Sequence, residues 1–454
     1  MKVSQRLCTA FIQQYNGASS SIERPLAYYS QFRPASLTMK QYLDFGRNGT
    51  DRSSYIFLKT ELLVRMANIM QELNLLPLKL LQTKSGKYVA NLYKQSFCEL
   101  LQFEGINPSV SILQKFKSQL RSILRRHNTV VETMAEALIE LKQSKNIDFS
   151  CEQNIQYFLD RFYLNRISIR MLQNQHLAIF GEGQRPVDLA GHVGHIVFLS
   201  TDPNCCVRDI LIDAYENALL LSEQHFCVTP SLSLECFNTK NPGQEIRVPL
   251  VPLHLYYIVF ELIKNSMRAT IEHFYRTNKG QKNVIDELPP IRAQMVLGPE
   301  NLSIKISDRG GGVPAEKLSH LFRYSYSTAP KPTSQNDTPF AGYGYGLPIS
   351  RLYARYFLGD LSLISMDGYG TDALISLKAI PSEACELLPV FGASSRRLIT
   401  MANQVPDYYF QTFGNNKSTI EEAERKWDNS LPLVSQQKTD VAKQRENNIR
   451  RAIQ

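Results

Sequence analysis

The glycine clusters in the C-terminal half constrain this chain more than any other feature of its sequence. Leu302, Ile304 and Ile306 alternate with Ser303, Lys305 and Ser307, the period of a strand with one buried face. That strand runs straight into Asp308-Arg309-Gly310-Gly311-Gly312-Val313-Pro314. A second run, Gly342-Tyr343-Gly344-Tyr345-Gly346-Leu347-Pro348, precedes a helix predicted over 349–357. A third, Gly368-Tyr369-Gly370-Thr371-Asp372, opens a strand marked by Ala373, Ile375 and Leu377. Glycines let backbone pass close to a flat base, and the amides before a helix make a cradle for phosphates. An Asp at the strand end can accept a hydrogen bond from an adenine amino group. Residues 329–341, rich in Pro, Thr, Ser, Asn and Asp, read as a lid.

Upstream lies 254–270, HLYYIVFELIKNSMRAT. Leu255, Val259, Leu262 and Ile263 form an apolar stripe, while Glu261, Lys264, Asn265 and Arg268 recur on another face. Alone, that face also reads as a solvated surface with salt bridges. With the glycine clusters it reads as a nucleotide site. The Asn265 amide oxygen suits Mg²⁺, Lys264 or Arg268 suits phosphate, and Glu261 could orient or deprotonate an attacking hydroxyl.

The N-terminal part has a different texture. From about 37 to 180 the apolar spacing is helical: Leu58, Leu62 and Met66 recur every four residues. Ile155, Phe158, Leu159 and Phe162 follow i, i+3, i+4, i+7. Breaks such as Gly105-Ile106-Asn107-Pro108 make this an antiparallel helix bundle. The chain is therefore α+β, a bundle followed by an α/β sandwich with helices on one side of a mixed sheet. At 454 residues it is long enough for two or three domains. The expected boundaries are 1–24, a candidate import segment whose first acidic residue is Glu23, then 25–180, 181–390 and a polar tail, 391–454. No apolar run reaches the length of a membrane span, and no pair of cysteines has C-x-x-C spacing, which argues against zinc and a disulfide scaffold. The net charge of +9 favours acidic partners.

The order of Asn-bearing helix, DRGGG, GYGYGLP and GYGTD resembles the Bergerat (GHKL) ATP-binding fold of gyrase, the large heat-shock chaperone, histidine kinases and MutL. More closely, SLTMKQYLDFG (36–46), ELLVRMANIMQELNLLP (61–77), NIQYFLDRFYLNRISIRML (154–172), YSTAP and GYGYGLPISRLYARYF resemble the mitochondrial pyruvate dehydrogenase kinases. The resemblance implies a serine kinase of the mitochondrial matrix that inactivates the thiamine-dependent decarboxylase subunit of the pyruvate dehydrogenase complex. It also implies docking on lipoyl domains of the acetyltransferase core, homodimerisation, and ATP, Mg²⁺ and K⁺ as ligands. By it Glu261 is the general base, Asn265 the magnesium ligand and Arg268 a nucleotide contact. Asp308, with Gly310 and Gly312, would take adenine; Ser327 and Thr328 would line the ribose and phosphate side. Gly342, Tyr343, Gly344, Tyr345, Gly346 and Leu347 would wrap the triphosphate, and Thr371 would sit near the base.

Departures from the family pattern carry expectations of their own. Tyr257 stands where most of these kinases have a base-tuning His, as in the branched-chain kinase. Asp407-Tyr408 occupies the place of an Asp-Trp pair that anchors tails exchanged across a dimer. His127 matches a family histidine of the helical domain, but Leu124 replaces the Arg associated with a regulatory pocket for small acids. Two other readings stand beside the pyruvate kinase: a branched-chain 2-oxoacid dehydrogenase kinase, for which Tyr257 speaks, and a non-enzymatic ATP-switched scaffold docking on lipoyl domains. The basic stretch around Lys115, Lys117, Arg121, Arg125 and Arg126 lacks the aromatic interleaving of a nucleic-acid site and reads as a solvated or protein-docking face. His192 and His195 read as part of an inter-domain turn.

Overall fold

The computed structural model describes residues 19–74, 78–145, 153–181, 201–277, 288–326 and 344–389. Its N-terminal half is helical: α1 (Ser19–Tyr29), α2 (Met39–Asn48), α3 (Asp51–Asn74), α4 (Leu78–Leu81), α5 (Lys84–Leu101), α6 (Val110–Arg126), α7 (Val130–Lys145) and α8 (Gln153–Phe180). Local chemistry sets several starts. Thr38 and Gln41 form a reciprocal capping box at α2, Thr83 caps α5 and Ser109 caps α6. α1 lies ahead of the first helical signal read at residue 37. Leu58, Leu62, Met66, Ile155, Leu159 and Phe162 are all buried in one core, as their spacing required.

The second half begins with β1 (Asp202–Cys206), α9 (Val207–Phe226), β2 (Leu232–Asn238), β3 (Arg247–Leu250) and α10 (Pro252–Thr277). It continues with β4 (Ile291–Leu297), β5 (Asn301–Ser307), α11 (Ala315–Leu318), α12 (Gly346–Tyr356), β6 (Asp360–Met366) and β7 (Gly370–Lys378). The main sheet has the order β2-β4-β5-β7-β6; β2 and β4 are parallel and the other pairs antiparallel, so the sheet is mixed as expected. Leu302, Ile304 and Ile306 turn inward against Leu255, Val259, Ile263 and Met267 of α10. α10 runs longer than the predicted 254–270, and α12 starts at Gly346, three residues before the predicted 349, inside the second glycine run. No helix among the described residues is long and apolar enough to cross a membrane. The basic stretch is partly neutralised within the bundle: Lys117 reaches Asp51 at 3.1 Å and the Phe180 carbonyl, and Arg126 pairs with Glu99.

The two halves meet around one buried carboxylate. Glu386, beyond β7, accepts hydrogen bonds from Arg65 (2.8 and 3.1 Å), Tyr42 (2.6 Å), the Leu37 amide (3.0 Å) and the Tyr356 hydroxyl of α12. Arg65 also bonds Glu61 at 3.0 Å and the carbonyls of Ala35 and Ser168. Burial alone would lower the Arg65 pKa, but the Glu386 and Glu61 carboxylates hold it well above its usual value. Truncating one member of such a pair strands the other charge. Arg65→Ala should therefore cost about 3–5 kcal/mol in urea unfolding, and a loss below about 1 kcal/mol would show that the carboxylates find other compensation.

Candidate active site

α10 presents the site's charged face because its apolar stripe is buried under the sheet. Glu261 is half-buried and its Oε1 accepts from Lys264 Nζ at 2.8 Å. The Lys264 ammonium also lies 5.3 Å from the centroid of the Phe260 ring. Asn265 is exposed, and its amide makes no hydrogen bond among the described residues. Arg268 pairs with Glu272 at 2.7 Å, on the same helix. The Asn265 amide oxygen, one turn from Glu261, is a hard donor that fits a magnesium ion completed by phosphate oxygens and water.

The base end of the site is built on Asp308. Its Oδ1 accepts from the amides of Gly310 (2.9 Å) and Thr371 (3.2 Å), and its Oδ2 from the Ser266 hydroxyl (3.1 Å). Burial raises the Asp308 pKa, and these three hydrogen bonds oppose it. Oδ2 keeps a lone pair for an exocyclic amine. The Asp308 amide in turn bonds the Thr371 carbonyl at 3.0 Å, and the Gly311 amide bonds the Tyr369 carbonyl. These bonds tie two glycine clusters, far apart in sequence, into one wall. Ser365 completes it, accepting from the Val313 amide at 2.7 Å and lying 3.0 Å from Thr371 Oγ1. Gly310 packs on Ala269 and Gly312 on the Met366 carbonyl.

The start of α12 borders Glu261. Gly346 lies so close to Glu261 that a Cβ there would collide with the carboxylate. The N-cap residue, Tyr345, supplies no side-chain cap, so the first-turn amides have no side-chain partner from it. Leu347 packs into the core of the sheet half. Glu261 thus stands between the amide-bearing turn and the Lys264 ammonium, where a hydroxyl nucleophile and a phosphate could meet.

Tyr257, one turn before Glu261, packs its ring on Tyr353 with centroids 5.0 Å apart. Burial pushes its hydroxyl well above the usual range and the Glu261 charge adds to that. His254 belongs to another environment: it packs against Tyr353, Tyr356 and Phe357, and burial lowers its pKa to about 3. His127 lies elsewhere, at the end of α6, with Nε2 2.8 Å from Ser96 Oγ and its ring 4.7 Å from Tyr93. Burial and then Arg166 and Arg126 lower it to about 3, so it is neutral at physiological pH. Leu124 is buried. Ser327, Thr328, Gly342, Tyr343, Asp407, Tyr408, His192 and His195 lie outside the described residues, as do the lid over 329–341, the import segment up to residue 18 and the tail from 390.

Spacing did not single out Ser266 or Ser365. Ser266 falls inside the predicted helix next to Asn265 and Ser365 inside a strand, and neither position carries a periodic signal. An Asp308→Asn variant is expected to lose about tenfold or more in ATP affinity by calorimetry, because an amide nitrogen would face donors already aimed at the carboxylate. Affinity within about twofold of the parent would remove Asp308 from the base site.

Residues 36–197 match the family model described as mitochondrial branched-chain alpha-ketoacid dehydrogenase kinase, and residues 250–381 that of the histidine kinase-, DNA gyrase B- and HSP90-like ATPases. Among curated relatives, a mitochondrial [pyruvate dehydrogenase (acetyl-transferring)] kinase of Ascaris suum is 55% identical over 87% of this chain and 95% of its own. A probable kinase of the same name from Caenorhabditis elegans is 52% identical over 90% of this chain and 96% of its own. Isozyme 3 of Homo sapiens is 49% identical over 85% and 93%.

Proposed function

The chain belongs to the mitochondrial pyruvate dehydrogenase kinase family, and from that premise we propose that it is an ATP-dependent serine kinase that phosphorylates and inactivates the decarboxylase subunit of the pyruvate dehydrogenase complex. The observation that carries the reading is the Glu261 carboxylate set between Lys264 and the Gly346 turn, with Asp308 held by three donors at the far end. Adenine would donate its amino group to Asp308 Oδ2, in the wall formed by Gly310, Gly312 and Thr371. Ser327 and Thr328 would line the ribose and phosphate side. The triphosphate would extend past Arg268 toward the glycine run, wrapped by Gly342, Tyr343, Gly344, Tyr345, Gly346 and Leu347. Glu261 takes the proton of the substrate serine as its oxygen bonds to the γ-phosphorus and the bond to the ADP oxygen breaks. Lys264 and the first-turn amides of α12 stabilise the charge spread over the transferring group. Asn265 would hold Mg²⁺, which supplies charge neutralisation and orientation of the phosphates when bound.

The protein is mitochondrial by family, and we place it in the matrix. Residues 25–180 would form the docking and regulatory domain, 181–390 the catalytic domain, and 391–454 a tail exchanged in a homodimer through Asp407 and Tyr408. Docking on the lipoyl domain of the acetyltransferase core is supported by an apolar pocket in the helical half, lined by Leu37, Tyr42, Phe45, Phe57, Leu58 and Leu172. It suits a thin aliphatic arm. His127, neutral and buried, would act by packing rather than by charge. The branched-chain complex is the second substrate reading, favoured by Tyr257 at the position next to the base.

The test is transfer of labelled γ-phosphate to purified pyruvate and branched-chain decarboxylase subunits, with the lipoyl-bearing core, Mg²⁺ and K⁺ present. Labelling of the pyruvate subunit is expected, with Glu261→Ala losing at least about a hundredfold in rate, at the low end for a general base, while still binding ATP. Labelling of the branched-chain subunit alone would move the substrate, and ATP binding with no transfer would leave an ATP-switched scaffold. A protonated imidazole one turn from Glu261 would favour the carboxylate, so Tyr257→His should shift the acid limb of the pH–rate profile downward. An unchanged profile would remove Tyr257 as a tuning residue.

A further inference from the structure

The turn that carries Gly346 is held by the helical half as well as by the sheet. Tyr324, 1% exposed, gives its hydroxyl to Asp160 Oδ1 at 2.7 Å and its backbone amide to Gln156 Oε1 at 2.8 Å, both on α8. Tyr163 of the same helix packs on Tyr324 (5.6 Å between centroids) and Tyr345 (6.1 Å), which pack on one another at 5.2 Å. Gln156, Asp160 and Tyr163 stand at i, i+4 and i+7, one stripe of α8. Beyond this triangle, Gly344 has φ +80° and leaves room for the Tyr326 backbone, and Gly346 touches Glu261. One stripe of α8 therefore grips both segments, 324–326 and 344–346, that border the proposed phosphate site.

Asp160 is a half-buried carboxyl that accepts from the hydroxyl of a buried tyrosine. Burial pushes Asp160 up to about 6, opposed by the Tyr324 hydroxyl and then by Arg355 and Arg351. Those two guanidiniums are themselves bonded to Asp360, at 2.8 and 3.1 Å. The Tyr324 hydroxyl bonds Asp160 directly.

We propose that Asp160 and Gln156 are positioning residues of the nucleotide site: by fixing Tyr324, they set where the Gly344–Gly346 turn stands against Glu261. The inference rests on the ATP reading above, so the experiment begins with ATP binding by the unsubstituted full-length chain. Calorimetric titration with Mg-ATP is then repeated on Asp160→Ala, Asp160→Asn, Tyr324→Phe and the Asp160→Ala/Tyr324→Phe pair. Near-ultraviolet circular dichroism and thermal melting are recorded first to establish the folded fraction. Asp160→Ala and Tyr324→Phe are each expected to weaken ATP about tenfold, and the pair no further than either alone. Asp160→Asn keeps an acceptor oxygen and should stay within about threefold. Tyr324→Phe removes only a hydroxyl, so it remains informative if Asp160→Ala does not fold.

ATP affinity within about twofold for folded Tyr324→Phe or Asp160→Ala would overturn the proposal, as would losses that simply add or that track the folded fraction. An unsubstituted chain that does not bind ATP would remove the site reading and this inference with it. That outcome is distinct from normal ATP binding by the parent with unaffected variants.

Discussion

Arg65 and Glu386 are 321 residues apart, yet they form a bidentate pair that is closed to water. Removing two such ions from water costs several kcal/mol each, and their attraction offsets that only when the remaining hydrogen-bonding capacity is filled. Here it is filled: Tyr42, Tyr356 and the Leu37 amide complete Glu386, while Glu61 and two carbonyls complete Arg65. A similar volume of apolar side chains would pack about as well. What those side chains would not do is reject every other docking position of the segment after β7. The network is satisfied in one arrangement, and in that arrangement the bundle and the sheet share a boundary.

α12 transmits that arrangement to the site. Ile349, Leu352 and Tyr356 lie in the core of the bundle, and Ala354 lies in the core beneath the sheet. Its C-terminal end is tied to Glu386 through Tyr356, and its N-terminal end rests on Glu261 through Gly346. Eleven residues of helix make a rod of about 16 Å, too stiff for its ends to move independently. A change in how the two halves pack therefore reaches the turn beside the base. The Tyr324–Tyr345–Tyr163 triangle adds a second connection a few residues away.

The sequence made the site legible where chemistry and period coincide. Three glycine clusters, an alternating strand and an amphipathic helix with one polar stripe point to Glu261, Asn265 and Asp308, and the family resemblance adds Thr371. Helix ends were less legible. α12 begins within the glycine run because its N-cap, Tyr345, has no capping side chain to announce it. The long-range pairs were not legible at all. Arg65 looks like one more solvated charge in RMANIM, and Glu386 is one of two acids, with Glu383, soon after the last strand. Asp160 sits in FLDRF with nothing to mark its partner, Tyr324, 164 residues away. The same limit affected the basic stretch, where Lys117 and Arg126 turn to partners on other helices. Periodicity reports which face of an element is buried; it carries no information about which distant polar group meets it there.

Glu261 and Asp308 are the same kind of group assigned different tasks, and their neighbours explain the difference. Asp308 is surrounded by neutral donors, two amides and a hydroxyl, that hold its geometry and leave one direction open. Such a carboxylate is a fixed acceptor, suited to reading an amine and ill suited to taking a proton from a mobile substrate. Glu261 has a cation instead. The Lys264 ammonium carries three donors on a flexible stem, so it can keep one on Glu261 while turning another to a phosphate oxygen. Without that cation, an ionised carboxylate beside a triphosphate would be repelled at short range, and the base would be driven from the position where it is needed. An Arg at 264 would present its donors in a rigid fork and favour holding a single carboxylate. In the proposed mechanism, a Lys at 264, three residues after Glu261, would let one side chain balance the charge of both the group that takes the proton and the group that is transferred.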